Sequence, residues 1–395
     1  MSYKSTVRSC YLGTVCQAVI VNLTALLFTA FGEQFGLSFT QLGVLVLLNF
    51  FTQVFVALIF GSVVDRVGFR PFIVGAHLAA AAGLTWIAVT PWVPVPPYVM
   101  LVLGTLIIGA AGGFFELLLS PIVNAIPTDE KSSAMAIMHA FFCFGHVGVA
   151  FGTTLFLFVF GREAWPVVVG LWVILPLLNA LLFARCPMAS AVPVVQQSSA
   201  RDALRKPVFT VLVLMIVLAG ASELTFSQWA SAFMEQAMGL PKVLGDIAGV
   251  GMFAVMMGVG RIAYGVLRQK NVAWLPSQSR LMLMGSALAA VSYVIVAVTY
   301  NPFLGLLACA LCGLGVSLLW PGTLSLAVDA FPRAGTWMFA VMAAGGNIGA
   351  AGGPAVFGII ADYGGLRMGY MLTTVIPVLS VIILVLFIRM SRRTA

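Results

Sequence analysis

The chain has 395 residues, 61% of them hydrophobic and 8% charged, and its 20 basic and 12 acidic side chains leave a net charge of +8. A soluble domain carries about 25% charged residues, so this composition, with a mean hydropathy of +1.09, excludes a soluble globular protein. Apolar runs of about 20 residues recur along the whole length, each long enough to cross a bilayer as a helix.

The first nine residues place Lys4 and Arg8 ahead of an apolar run from Cys10 to Phe31. That run is longer than the apolar core of a secretory signal and lacks a small-residue cleavage site, so it predicts a first spanning helix over 9–32. Asn22 lies within it. The second span, 40–63, sets Asn49 and Gln53 on one face, where amides either join helices or touch a solute. A third span covers 72–90 and a fourth 98–126. In the fourth, Glu116, Ser120 and Asn124 fall at i, i+4 and i+8, one stripe of the helix. A carboxylate inside such a run costs roughly 2.5–3.5 kcal/mol even on lenient insertion scales, so Glu116 predicts a polar cavity, a partner or a proton. The fifth span, 133–160, puts His139 and His146 on one face, and Gly145, Gly148 and Gly152 offer a flat side to a neighbouring helix. A sixth covers 164–184.

Arg185 to Lys206 is the longest polar stretch, rich in Ser, Gln, Pro and charge, and reads as a cytoplasmic linker. It divides an N-terminal six-helix bundle, 1–184, from a C-terminal one, 207–395. The second bundle is expected to span at 207–235, 246–267, 280–299, 302–328, 335–361 and 369–390. Glu223 is the buried acid of its first helix, with Ser227 on the same face and Trp229 beyond. Glu33 and Glu235 stand near the outer ends of their helices and are expected to be solvated. Met252, Met256 and Met257 either line an adaptable greasy cavity or simply pack. Arg261, an intramembrane cation, either joins a cytoplasmic gate network or faces an anion or carboxylate in a cavity. Cys309 and Cys312 form a CxxC with no second pair, which favours packing over metal. Trp320 stands beside the helix-breaking Pro321, and Asn347 lies among glycines of the eleventh span.

Two patterns join these elements. Asn22-Leu23-Thr24 recurs as Glu223-Leu224-Thr225 and Gly145-His146-Val147-Gly148 as Gly346-Asn347-Ile348-Gly349, both at an offset of 201 residues. Asn124-Ala125-Ile126-Pro127 recurs as Asp329-Ala330-Phe331-Pro332 at an offset of 205. Three matches in order at nearly one offset predict a duplicated half, the arrangement that suits two bundles rocking about a midplane site. With both termini placed in the cytoplasm, the inner segments hold sixteen Lys and Arg residues and the outer loops only Arg162, Lys242 and Arg367. That asymmetry is the positive-inside rule. The basicity is topological, and no nucleic acid is expected as a partner.

Between the second and third spans stands Gly61-Ser62-Val63-Val64-Asp65-Arg66-Val67-Gly68-Phe69-Arg70. It resembles the G-x-x-x-D-R-x-G-x-R signature of the major facilitator superfamily, at that family's usual place. The resemblance implies an all-α membrane protein of twelve transmembrane helices in two bundles, working as a monomer. It also implies that Asp65 faces the start of the eleventh helix near Gly335 and Thr336, and that Arg70 pairs with Asp129 or Glu130. The corresponding loop of the second half is degenerate: Gly265 aligns with Gly61, but Arg268 and Lys270 replace the acidic pattern. Glu116 to Pro121, with Ser120 where an Asn would stand, resembles the fucose and glucose/galactose permease branch. So do Asn22-Leu23, Phe35, Gln41 and Gly43 near the first helix, Phe141, Phe144 and Gly145 in the fifth, and Glu223 with Trp229. Ala25 departs from that branch, which places an aspartate there, so coupling through that position is not expected.

The reading is a secondary transporter in an inner cell membrane, coupling protons to symport of a small neutral polar solute such as a sugar. Glu116 and Glu223 are the candidate proton or solute groups, Asn22, Ser120, Asn124, His139 and Asn347 candidate lining residues, and Trp229 or Trp320 the aromatic platform. Proton-driven efflux of amphipathic compounds is the alternative, and a non-transporting receptor a more distant one. No HExxH or GxSxG occurs, so an enzyme is not expected, nor any cofactor or metal.

Overall fold

The computed structural model describes residues 3–126, 131–188, 205–270, 274–331 and 336–394. Among them every regular element is helical. The expected linker over 185–206 lies for the most part outside the described residues. Contacts divide the chain into two compact units, Met1–Pro193 and Val194–Ala395.

In the first unit the opening crossing is α1 (Tyr3–Leu26), continued after a slip at Leu27 by α2 (Phe28–Phe35). Gly36, at φ 65°, stops it. Ser38 and Gln41 then form a reciprocal capping box, each side chain accepting from the other's backbone N–H, at the start of α3 (Phe39–Val67). That box satisfies two donors a helix start leaves open. Gly68 closes α3, its N–H bonded to the Val64 carbonyl at φ 96°. A side chain is disfavoured at that angle, which is why the signature loop needs a glycine there. α4 (Phe69–Ala88), α5 (Pro97–Ala125) and α6 (Lys131–Phe160) follow. The sixth crossing is split into α7 (Trp165–Trp172) and α8 (Ile174–Arg185). Pro176 explains the split, because it has no N–H to return to the carbonyl of Trp172.

The second unit opens with α9 (Pro207–Ala232), which runs on through a π-helical turn, Phe233–Ala237. A second π-helical turn, Gly245–Gly251, leads into α10 (Met252–Gln269). α11 (Gln278–Val298), α12 (Pro302–Val316) and α13 (Leu319–Ala330) precede the long α14 (Thr336–Thr373) and α15 (Val375–Thr394). Eleven stretches of the described residues are long and apolar enough to cross a bilayer, the last being Ala340–Ser391 with 52 residues. A helix of that length would reach about 78 Å against a core of about 30 Å. It is not one crossing: Gly365, at φ 76° and ψ 172°, breaks it in two. Twelve crossings result, at the expected places.

The duplication appears in the packing. In the first unit α1 lies along α6, α3 along α5, and α4 along both α5 and α8. In the second α9 lies along α14, α10 along α12, and α11 along both α12 and α15, the same scheme. The shared glycines serve it unequally. A Cβ at Gly349 would strike the Val217 carbonyl, so α9 and α14 touch backbone to backbone there, and one at Gly353 would strike the Thr225 hydroxyl. Gly145 meets α1 at Val15 and Ala18, but nothing lies within 4 Å of a Cβ at Gly148. The flat face expected in both halves is complete only in the second.

Candidate functional site

The interior of the second unit is organised around α9, where every residue from Ala219 to Met234 is buried. Six of those side chains are polar: Ser222, Glu223, Thr225, Ser227, Gln228 and Ser231. A helix buried all round is ordinarily apolar all round, and this one is held by donors from its neighbours. Tyr293 Oη donates to the Ser222 carbonyl at 2.8 Å and Tyr370 Oη to the Phe226 carbonyl at 2.9 Å.

Glu223 is the ionisable group of that interior, its side chain 11% exposed, and its Oε2 lies 3.6 Å from Arg261 Nη2. Arg261 is held in turn: Nε donates to the Ser317 carbonyl at 3.1 Å, and Nη2 lies 3.5 Å from Met257 Sδ. Of the two surroundings open to Arg261 on sequence grounds, the structure gives it the carboxylate. Trp320, at the start of α13, is half-buried. Its ring fills a notch left by Gly346 on α14 and Gly220 on α9, where added Cβ atoms would collide with it. Gly220 is three residues before Glu223, so the same face of α9 carries the notch and the acid. Glu223 and Arg261 thus meet, Trp320 packs on the face of α9 that carries Glu223, and Asn347 is buried beside the notch glycine in sequence.

Trp229 requires correction as a platform. It is fully buried, its ring stacked on Phe357 at 4.9 Å between centroids, and its Nε1 donates to the Pro354 carbonyl at 3.1 Å. Both its face and its polar tip are consumed by the core. The methionine stripe dissolves in the same way. Met252 is exposed, in register with exposed Val255, Val259 and Ile262, whereas Met257 is fully buried. Glu235 is not solvated: Lys242 Nζ stands 3.9 Å away and both side chains are largely covered. Glu33 is exposed as expected and pairs with Arg162 at 2.6 Å.

In the first unit Glu116 and Ser120 share their stripe of α5, both half-buried. Asn22 is buried and donates from Nδ2 to the Ala18 carbonyl of its own helix at 2.9 Å. Asn49 donates to the Ile20 carbonyl at 3.0 Å and accepts from Gln53 at 2.7 Å, which is the interhelical reading of that pair. His146 is buried. Arg70 donates to the Cys186 carbonyl at 2.7 Å, at the end of α8. Asp129, Glu130 and Gly335 lie outside the described residues, as do the side chains of Gly61, Asp65, Arg66, Asn124, His139 and Thr336. The six cysteines are buried and free, and among the described residues no group of three metal-binding side chains occurs.

Two polar clusters went unread in the sequence. Asp246, 1% exposed, accepts from Ser231 and pairs with Lys242 at 3.3 Å between the two π-helical turns. The expected span began at 246 with Lys242 left in a loop, so the short Lys242–Leu244 turn that joins them was missed. In the first unit His77 Nδ1 donates to the Ile73 carbonyl at 2.7 Å, and its Nε2 accepts from Asn179 Nδ2 at 2.8 Å. Asn179 Nδ2 also donates to the Ser9 carbonyl at 3.0 Å. No spacing connects residues 9, 77 and 179.

Comparison with known proteins follows this geometry. The sequence pattern of the family described as Major Facilitator Superfamily matches residues 10–338 and 277–395. The chain is similar to the crystal structure of a bacterial homolog to human lysosomal transporter, Spinster, in inward-facing and occupied conformation. The TM-score is 0.78 at 14% identity, covering 98% of this chain and 97% of that one. It is similar also to the inward-facing and unoccupied form, with TM-score 0.77 at 15% identity, covering 98% and 96%. At such identities the likeness is one of fold alone. No curated protein matches.

Proposed function

The chain belongs to the major facilitator superfamily and is a membrane transporter of the alternating-access fold rather than an enzyme, and from that premise we propose that it is a proton-coupled symporter of a small neutral polar solute, sugar-like in its hydroxyls. The observation that carries this reading is the Glu223–Arg261 pair, 3.6 Å apart in the interior of the second unit, with Trp320 packed on the face of α9 that carries Glu223. A sugar is recognised by charged or amide groups that bond its hydroxyls and by an aromatic face that covers its C–H surface. Glu223, Arg261 and Trp320 supply those elements in one place. The residues around Glu116 that resemble the fucose and glucose/galactose permease branch support the same solute class.

Coupling follows from the cost of moving charge through a dry gate. An unpaired carboxylate in hydrocarbon costs roughly 2.5–3.5 kcal/mol or more, so a carrier that closes around its solute gains by closing with the acid neutral. Glu116, half-buried on the first unit, takes a proton from the outer side and binds solute in its neutral form. Rehydration on the inner side releases both. Glu223 is compensated by Arg261 while empty, and a solute hydroxyl between them replaces part of that compensation. The basic inner segments support cytoplasmic termini in an inner membrane, and a monomer suffices for the scheme. Efflux of greasy compounds loses its support with the dispersal of the methionines.

Uptake into proteoliposomes tests the reading. Glu116→Gln should abolish accumulation driven by a pH gradient while solute counterflow partly survives. Equal accumulation by variant and parent would remove the proton role of Glu116.

A further inference from the structure

The tenth crossing is not continuous. α12 ends at Val316 and α13 begins at Leu319, and Leu318 between them stands at φ −99° and ψ −6°. Pro321 accounts for the break. In an unbroken helix the Ser317 carbonyl would accept from the N–H of residue 321, and proline has none. That carbonyl is therefore released within the interior of the unit, where a polar group without a partner is costly. It has a partner: Arg261 Nε, at 3.1 Å. The neighbouring helix is shaped for the contact, since a Cβ at Gly260 would collide with the Ser317 side chain. Gly260 lets α10 approach the break, and the next residue supplies the donor. The same guanidinium then reaches Glu223 through Nη2.

We propose that Pro321 positions Arg261 through the Ser317 carbonyl, so that the break in the tenth crossing is a latch that fixes the guanidinium against Glu223. Pro321 is the positioning residue in this scheme, acting on Glu223 through Arg261. The orphaned carbonyl holds its Nε and Glu223 meets its Nη2, a bridging role that a lysine, a compact point charge on a flexible stem, does not reproduce. Straightening the tenth crossing at Ser317–Leu318 withdraws the carbonyl, and Glu223 loses a fixed countercharge in the same movement. The shape of that helix and the compensation of the acid become one variable. Such two-state elements are what alternating access requires. The inference rests on the transport role of Glu223 proposed above and adds to it a part in coupling.

The test is a mutant cycle in proteoliposomes, read as the ratio of gradient-driven accumulation to counterflow. Pro321→Ala restores an N–H at position 321 and gives the Ser317 carbonyl a helical donor. Accumulation should fall about tenfold while counterflow falls less than about twofold, in the range of coupling between residues that share a contact. Gly260→Ala leaves the proline in place and pushes α10 off the break, so it should reproduce the same ratio. Arg261→Lys, at a residue that also meets solute, should lower accumulation at least as far with counterflow falling as well, and accumulation by Pro321→Ala with Arg261→Lys should be no worse than by Arg261→Lys alone. A double variant equal to the product of its singles, or accumulation and counterflow falling together in Pro321→Ala, overturns the latch. Glu223→Gln separates the two levels. Should it accumulate solute like the parent, the coupling role of Glu223 is wrong. The latch is then judged by the same cycle on the KM of counterflow, where additivity still refutes it.

Discussion

Among the described residues two arginine–glutamate pairs differ in a useful way. At the edge of the first unit Arg162 meets Glu33 at 2.6 Å, with side chains 36% and 60% exposed. Inside the second unit Arg261 meets Glu223 at 3.6 Å, with side chains 23% and 11% exposed. Distance alone would rank the first as the stronger. The surroundings reverse that order, because water screens the first pair whether it is formed or not, whereas the second has little water to replace either partner. What a charge contributes here depends on what would solvate it if its partner left. That makes the interior pair the one of the two on which stability depends more.

The largest effect is expected from removing the interior cation. Arg261→Gln leaves Glu223 with its acid uncompensated in an apolar bundle, and losing one partner of a buried pair costs about 3–5 kcal/mol. Thermal melting in detergent should show a drop of that size, and Arg261→Gln with Glu223→Gln should recover most of it, since two neutral groups need no countercharge. The double variant should still fail to accumulate solute. Should Arg261→Gln melt like the parent, the interior pair would be no more consequential than the rim pair.

The Lys242 cluster lies between these extremes. Asp246 is 1% exposed and pairs with Lys242 at 3.3 Å, yet Lys242 also has Glu235 at 3.9 Å. Asp246→Asn therefore leaves the ammonium with a second carboxylate and keeps a polar side chain for Ser231. A cost of about 1–3 kcal/mol is expected, the range for a weakened buried bond to a charged group. A loss as large as that of Arg261→Gln would mean that Glu235 gives no compensation.

Much of this was legible in sequence, and the divisions are instructive. The crossings and the duplicated half follow from apolar run length and from short recurring segments, quantities local to a window of the chain. Even the break at Gly365 fell in the expected gap between the last two spans. Glu223 and Arg261 each announced themselves as charges in apolar runs, but their meeting did not, since it depends on a carbonyl released by Pro321 in a third helix. Trp229 was misjudged because α9 is buried on every side at that level, so no face of it can be read as lining. Trp320 differs only in the glycines opposite it. His77 and Asn179 were invisible for a further reason: each is an isolated polar residue, and their link is made only by the packing of α4 against α8.

That neutral node gives the next contrast. His77, Asn179 and the Ser9 carbonyl are as buried as Glu223, but no charge is needed to satisfy them. Asn179→Ala removes the donor to His77 and to Ser9, and an interhelical hydrogen bond in a membrane bundle is worth about 0.6–1.7 kcal/mol. Melting should fall by about that amount while accumulation per folded molecule is unchanged. A loss of coupling in Asn179→Ala would show that this neutral node takes part in transport and is not a packing contact alone.

The rim pair supplies the smallest effect and the sharpest check on the opening contrast. Glu33→Gln removes an exposed partner at 2.6 Å, and exposed pairs are worth about 0.2–1 kcal/mol at best. Arg162 loses little, because water takes the place of the carboxylate. Screening offers a control that needs no variant: at 1 M salt the Debye length falls to about 3 Å, so the parent should melt like Glu33→Gln there. Arg261→Gln should keep its deficit at the same salt, since ions reach the interior pair poorly. A Glu33→Gln deficit that survives high salt would show that the rim pair is shielded after all, and the ranking by surroundings would then give way to ranking by distance.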